Sequence, residues 1–315
     1  MHNILNCAKF LRMFYKKIMC RNSKRLFSFL TYFLFSLSLF AMEGDLVFYV
    51  DAAAKASREK GTADSPFVSL ERAVAAAHTY ANRQAASIKN DVLNPVSIFL
   101  CSDVSVEEGV LLTVPIRLHG INNPTITFGE NVGFVVDKTT LEVEECSIKR
   151  SERFTEPRIV PVLYGSSASI TLNRVSITVK EGGDAVILRD GSRLACTDTF
   201  FSSNQSAQAV LIRAEKSFLS AAGTTFSASG LMALCFDFVK TEGILTDTVC
   251  NLAAHYTGRV AELTDSTVQM RKVRCSYTSP LFKMMDSPVL ADTASKMEVQ
   301  GAFELTGFTK SLVRK

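Results

Sequence analysis

The chain has 315 residues, 47% hydrophobic and 21% charged, with 16 Gly, 8 Pro and no Trp. That length accommodates one large domain or two ordinary ones with a sizeable core, and the apolar fraction excludes a disordered or collagen-like chain. The formal charge of +4 misleads: residues 1–41 carry seven cations and no acid, and the rest holds 28 basic against 31 acidic residues, a net −3. Once residues 1–41 are removed, nucleic acid loses its main electrostatic support as a partner, and none is expected.

Arg21-Asn-Ser-Lys-Arg25 precedes Leu26–Phe40, an uncharged run rich in Leu, Phe and Ser. Fifteen residues is short for a membrane span and suits the apolar region of a secretory signal. Ala41 or Gly44 supplies a small residue for cleavage, although Leu39 makes an imperfect site. Met13 or Met19 as the start would give a leader of more usual length, and no Cys follows the run to accept a lipid. Residues 1–41 are therefore expected to be a signal peptide or leader, an uncleaved anchor being the alternative. Export to the periplasm, the cell surface or the exterior of a bacterium follows, with no stable membrane span after cleavage. Cys7 and Cys20 lie in the leader. The other six (Cys101, Cys146, Cys196, Cys235, Cys250, Cys275) show neither C-x-x-C nor zinc spacing, and their placement favours buried thiols.

Leu46–Val50 reads as a strand. Ser65 and Pro66 suit the N-cap and first position of an Ala-rich helix, with Phe67, Leu70, Val74, Ala77 and Ala81 on one face. Strand and helix form a 42–94 segment before the coils, which are expected over 95–307, with 308–315 a tail. Val96–Leu100, Val110–Leu118 and Thr125–Phe128 read as the first, less regular coils.

From Phe134 the chain repeats. Segments beginning at Leu141, Ile170, Leu194, Leu219, Leu245 and Val268 put small or apolar residues at positions 0, +2, +5 and +7, spaced 29, 24, 25, 26 and 23 residues apart. Alternation at 0 and +2 is a strand burying one face, and the extra residue before +5 requires a tight bend. A short apolar run precedes each pair, such as Val186–Leu188, Val210–Ile212 and Leu234–Phe238. Three short strands per turn of about 25 residues is the pattern of a parallel β-helix, an all-β solenoid whose core is a set of ladders. The +7 ladder would be Ile148, Ile177, Phe201, Phe226, Leu252 and Cys275. Asp247 breaks the +2 ladder, implying a local register shift. A leucine-rich repeat is rejected because its L-x-x-L-x-L-x-x-N motif is missing. The helix would cover the open edge of the first coil.

Tyr49-Val-Asp-Ala52, followed by Gly61-Thr-Ala-Asp-Ser-Pro-Phe-Val-Ser-Leu-Glu-Arg-Ala-Val-Ala-Ala-Ala77, resembles the N-terminal module of secreted right-handed β-helix proteins of the pectate-lyase-like superfamily. The resemblance implies a right-handed coil, an N-terminal capping helix and export. Residues 52–60 lack the family's customary Gly-Asn/Asp loop, and the fold alone does not specify an activity.

Members that act on polysaccharides place carboxylates and cations outside one stacked sheet. The analogous outward row here would be Arg189, Arg213, Asp237 and Glu262, with Asp286 near it. Strands stack ~4.8 Å apart, so Asp237 and Glu262, with Asp286 in reach, would suit a Ca²⁺ ion, the one cofactor considered. They would also suit the ~5–5.5 Å of a retaining glycosidase. Arg213 would serve as a cation for an acidic sugar, or as a base if desolvated. The ordinary reading of such a row is solvated surface. Neither a polygalacturonase-type carboxylate set nor a Trp platform is present. His119 reads as a turn residue, His255 and Tyr256 as loop residues able to contact a ligand, and Asn204-Gln-Ser206 as a glycosylation acceptor. Lys149–Pro161, with Arg153 and Arg158, is the longest interruption and a candidate binding loop.

The leading expectation is an exported, non-enzymatic β-helix binding envelope glycan or a host or partner protein. The alternative is a Ca²⁺-dependent polysaccharide lyase or glycosidase using Arg213, Asp237 and Glu262 on an acidic polysaccharide. A third possibility is an oligomer joined through outward Ile187 and Leu211.

Overall fold

The computed structural model describes residues 46–314 apart from 55–58, 88–92, 130–132, 151–159, 181–182, 282–286 and 310–312. The leader and the candidate residues Arg153, Arg158 and Asp286 thus lie outside the described residues. Every strand pairing is parallel, and the strands stack into three ladders around one core. Sheet A starts with Val47–Val50 on Val96–Leu100 and continues through Thr140–Glu144, Ser169–Asn173, Arg193–Thr197, Phe218–Ala222 and Glu242–Thr246. Sheet B stacks Thr125–Phe128, Ser147–Arg150, Ser176–Val179 and Phe200–Asn204. Sheet C stacks Phe134–Asp137, Leu163–Ser166, Val186–Arg189 and Gln208–Glu215. Each coil runs C, A, B, which is the expected parallel β-helix.

Two of the three corners are built the same way in the six coils between Phe134 and Thr278. Between sheets A and B, Glu145, Arg174, Asp198, Gly223, Asp247 and Lys272 each hold a left-handed φ between 48° and 60°. Between C and A, Lys138, Ser167, Asp190, Lys216, Lys240 and Asp265 do the same, with φ between 49° and 57°. One left-handed residue turns the chain sharply at a cost of roughly 1–2 kcal/mol for a non-glycine residue. The residue after it is commonly Ser, Thr or Cys, whose side chain donates back to the carbonyl two residues earlier. Cys146, Thr199, Thr224 and Thr248 do so at one corner, and Ser217, Thr241 and Ser266 at the other, all at 2.8–3.2 Å.

The corner column accounts for Asp247. Sheet A pairs Leu219 with Gly243 and Ala221 with Leu245, so the fifth repeat begins at Gly243, two residues earlier than its apolar pattern suggests. The spacing becomes 24, 25, 24 and 25 from Ile170 to Val268, and Asp247 takes the left-handed position. Position 0 needs no side chain there, because a Cβ on Gly243 would lie 2.9 Å from the Phe238 ring, which fills that space. Cys250, not Leu252, therefore occupies the +7 ladder, stacked between Phe226 and Cys275.

The +7 ladder carries stacked aromatic rings in the core. Phe201 and Phe226 stack at 5.0 Å and 6°, and Phe236 meets Phe226 edge-on at 4.7 Å. Cys146, Cys196, Cys235, Cys250 and Cys275 are buried free thiols, and Cys101 is exposed. Burial pushes the Cys146 thiol up to about 12, consistent with packing rather than reactivity. Helix α1 (Leu70–Ser87) packs on the first strands of sheets A, B and C and buries Leu70, Ala73, Val74, Ala77 and Ala81. It starts four residues later than Pro66 suggests, with Ser69 Oγ accepting from Arg72 N. Phe67 bonds instead to the backbone of Tyr49 and Asp51 and extends the strand edge. Among the described residues no helix is long and apolar enough to cross a membrane.

Thr241→Val should cost about 1–3 kcal/mol in urea unfolding despite equal size. Its hydroxyl donates to Val239 and Ala214 carbonyls and accepts from Ser217 N. Phe226→Ala should cost about 3–5 kcal/mol by opening a cavity against two rings. An unchanged midpoint for Thr241→Val would show that the corner hydroxyls are dispensable.

Candidate functional site

The outer face of sheet C carries the charged row, with one change of membership. Ile187 pairs with Arg213, Arg213 with Asp237, and Asp237 with Glu262. Arg189 belongs two residues further along, where its guanidinium bonds Glu215 at 2.6 Å. The offset arises because Gln208–Glu215 buries consecutive residues, Leu211 and Ile212, before outward–inward alternation resumes at Arg213. Leu211 is accordingly buried, and the outward apolar pair with Ile187 does not exist.

Within the row the charges satisfy one another. Arg213 Nε donates to Asp184 Oδ2 at 2.5 Å and Nη1 to Asp237 Oδ2 at 2.7 Å. Glu262 accepts from Arg259, three residues earlier on its own strand. Asp184, which sequence reasoning missed, has a side chain only 4% exposed. Burial raises its carboxyl above the usual 3.8, and Arg213 only partly offsets this. Behind it, Arg150 is buried at the end of a sheet B strand, donates to the Val160 carbonyl, and is pushed down to about 10 by desolvation. Asp237 and Glu262 are neighbours as expected, yet each faces a guanidinium. Among the described residues no group of three or more His, Cys, Asp or Glu is placed to hold a metal ion. The arrangement can anchor the loop carrying Asp184; Arg213, held by two carboxylates, is poorly placed to bind an acidic sugar.

A cleft of about 380 Å³ lies elsewhere, at the corner between sheets B and C. Four successive coils contribute to it: Asn204, Gln205 and Ser206; Ser229, Gly230 and Leu231; Ala253, Ala254 and His255; Thr278, Ser279 and Pro280. Among the described residues, the segments of this corner that line the cleft lack the left-handed residue of the other two. In the later coils Thr225–Val239 and Val249–Thr264 run through it as single strands. Their register slips between Gly230 and Met232: Gly230 pairs with Ala254, whereas Met232 pairs with Thr257. Leu231 therefore opposes two residues, His255 and Tyr256, and this bulge leaves both exposed. Gln205 is buried and donates to Gly183 O at 2.5 Å and Ser203 Oγ at 2.8 Å, tying the cleft to the segment that carries Asp184. Ser229 Oγ donates to Asn204 Oδ1 at 2.9 Å.

The cleft has a sequence signature that pairwise motifs do not capture: Asn204, Ser229, Ala253 and Thr278 all stand at +10 of their repeats once the fifth repeat starts at Gly243. His119 also differs from expectation. It lies inside the strand Ile116–Gly120, stacks on Phe99 at 5.0 Å, and its Nδ1 lies 3.2 Å from Glu144 Oε2.

Replacing Arg213 by Met should cost about 3 kcal/mol or more, because it strands the buried Asp184 carboxylate. Glu262→Gln, at a surface more than a third exposed, should stay within about 1 kcal/mol after solvent screening. The raised Asp184 carboxyl adds a pH signature. The folded chain holds that proton more tightly than the unfolded chain, so its stabilising contribution is full below 3.8 and is lost as pH rises through the raised folded value. Asp184→Asn should therefore gain stability relative to wild type as pH rises above about 4, read from urea midpoints. A pH-independent difference would reject the burial-driven shift.

No protein-family model and no curated protein matches the chain. A solved structure to which it is similar is the A-module of the mannuronan C-5 epimerase AlgE4 from Azotobacter vinelandii. The identity is 11%, covering 84% of this chain and 97% of that chain, with a TM-score of 0.30.

Proposed function

We propose that the protein is an exported, glycan-binding β-helix whose binding surface is the cleft at the B–C corner together with the adjoining outer face of sheet B. The observation that carries this is the chemistry of the cleft lining. Side-chain hydroxyls and amides come from Asn204, Gln205, Ser206, Ser229, Thr278 and Ser279, and among the described residues His255 is the one titratable lining residue. Outside the cleft, the outward row of sheet B continues in kind through Thr178, Ser202, Ser227, Asn251 and Ser276. Neutral donors and acceptors repeating at ~4.8 Å suit the hydroxyl groups of a neutral polysaccharide better than the charges of an acidic one. Glycoside cleavage calls on a pair of carboxyl groups, and the cleft lining has none among the described residues. The non-enzymatic reading is therefore favoured over a lyase or glycosidase at the sheet C row, whose carboxylates are engaged by Arg213 and Arg259. The basic, then apolar, leader supports placing the protein in the periplasm or at the cell surface.

Affinity electrophoresis of the full chain through gels containing neutral or acidic polysaccharides tests this. Retardation by a neutral polysaccharide is expected. Ser229→Tyr, which fills the cleft, should weaken it at least about tenfold (~1.4 kcal/mol) at an unchanged melting temperature. Glu262→Gln should leave it intact. Release of reducing or unsaturated ends, or retardation by acidic polysaccharides alone, would overturn the proposal.

A further inference from the structure

The mouth of the cleft is apolar in a way its lining is not. Nine large hydrophobic residues are exposed among the described residues, and four of them, Leu231, Met232, Tyr256 and Leu281, gather here. Leu231 lines the cleft; Met232, Tyr256 and Leu281 directly follow the lining residues Leu231, His255 and Pro280. The other five are scattered at Leu111, Ile121, Phe200, Ile244 and Val299. Scattered exposed hydrophobes need no explanation, whereas a contiguous group beside a cavity marks a contact surface. The register slip that exposes His255 and Tyr256 is what brings the two chemistries together, since regular alternation would turn one of these residues inward.

A flat protein partner would not use the 380 Å³ recess, and a plain polysaccharide would not need four apolar side chains in a row beside it. A ligand with a polyhydroxylated head and an apolar chain uses both. Resting on the glycan-binding reading above, we infer that the cleft binds an amphipathic glycan, an acylated or alkylated saccharide. Its head sits among Asn204, Ser229, His255 and Thr278, and its chain crosses Leu231, Met232, Tyr256 and Leu281. These last four belong to three successive coils, so the strip runs along the solenoid axis for roughly two strand spacings, ~10 Å. Each methylene that it removes from water adds to affinity, up to ~0.8 kcal/mol.

Isothermal titration of the full chain with methyl and octyl β-glucoside, below the micellar concentration, tests the inference. Octyl tetraethylene glycol ether serves as a control with the same chain and no sugar. Octyl glucoside should bind at least tenfold tighter than methyl glucoside and at least tenfold tighter than the ether. Met232→Ser/Tyr256→Ser changes only exposed side chains outside the cleft lining and should remove the chain-dependent gain while leaving polysaccharide retardation in place. Equal affinity for the two glucosides alongside polysaccharide retardation would overturn the inference and spare the glycan-binding reading. Equal affinity for octyl glucoside and the ether would show an apolar patch indifferent to sugar, as for a protein partner, and would also overturn it. Loss of polysaccharide retardation altogether would remove the reading on which the inference rests.

Discussion

The fold depends on one requirement: each coil must lie in register on the next, because inward side chains are buried only by the same position one coil away. Parallel ladders and the inter-coil bonds of the left-handed residues, such as Lys216 N to Val239 O, satisfy most of the backbone but leave the next amide without a backbone partner, and a buried unpaired group is costly. Corner hydroxyls meet that need between coils as well as within them. Ser192, Thr241, Ser266 and Ser295 each accept from a backbone N–H one coil earlier, those of Ala168, Ser217, Thr241 and Ser266 respectively. The accepting hydroxyl of one coil thus locks the bend of the coil before it, and the left-handed residue preceding the bend holds the same place in each of the six coils from Phe134 to Thr278.

The same register makes surface charge a property of the stack rather than of single residues. Arg213 reaches back to Asp184 and across to Asp237, and Arg174 reaches Glu145 at 2.7 Å in the same manner on another face. A row with alternating signs then closes on itself. Such pairing is inexpensive where solvent screens it and consequential where it is buried, as at Asp184. The ends of the stack differ for the same reason. Helix α1 covers the first coil, whereas the inward-row residues Met297, Val299, Phe303 and Leu305 of the Lys296–Thr306 strand remain partly exposed.

Most of the solenoid was legible because its signal is periodic: apolar residues two apart, a bend, then two more, every 24 or 25 residues. What misled was treating apolarity as the only marker of position. In the fifth repeat Gly243 holds position 0 without a side chain, so Leu245 looked like the start; the Asp247-Thr248 pair, matching Asp198-Thr199, marks the true phase. Periodicity puts Arg189 beside Arg213 for a related reason, since no periodic rule anticipates Leu211 and Ile212 both buried. Asp184 carried no signal at all. Its importance comes from burial and from Arg213, 29 residues later, which only the stacked structure brings to it.

The cleft lies at the corner where the repeating constraint is weakest. Two corners are committed to a left-handed turn and a back-bonding hydroxyl, which leaves their side chains little freedom. Among the described residues that line the cleft, the third has neither, so its length and register vary from coil to coil, and a single slip at Gly230–Met232 rearranges which residues face outward. Stability is indifferent to much of what stands there. Asn204, Ser229, His255 and Thr278 are therefore free to be chosen by a ligand rather than by the core, and Leu231, Met232, Tyr256 and Leu281 remain exposed although burying them would favour folding. Side chains that the core does not require and that water disfavours are best accounted for by a partner that covers them.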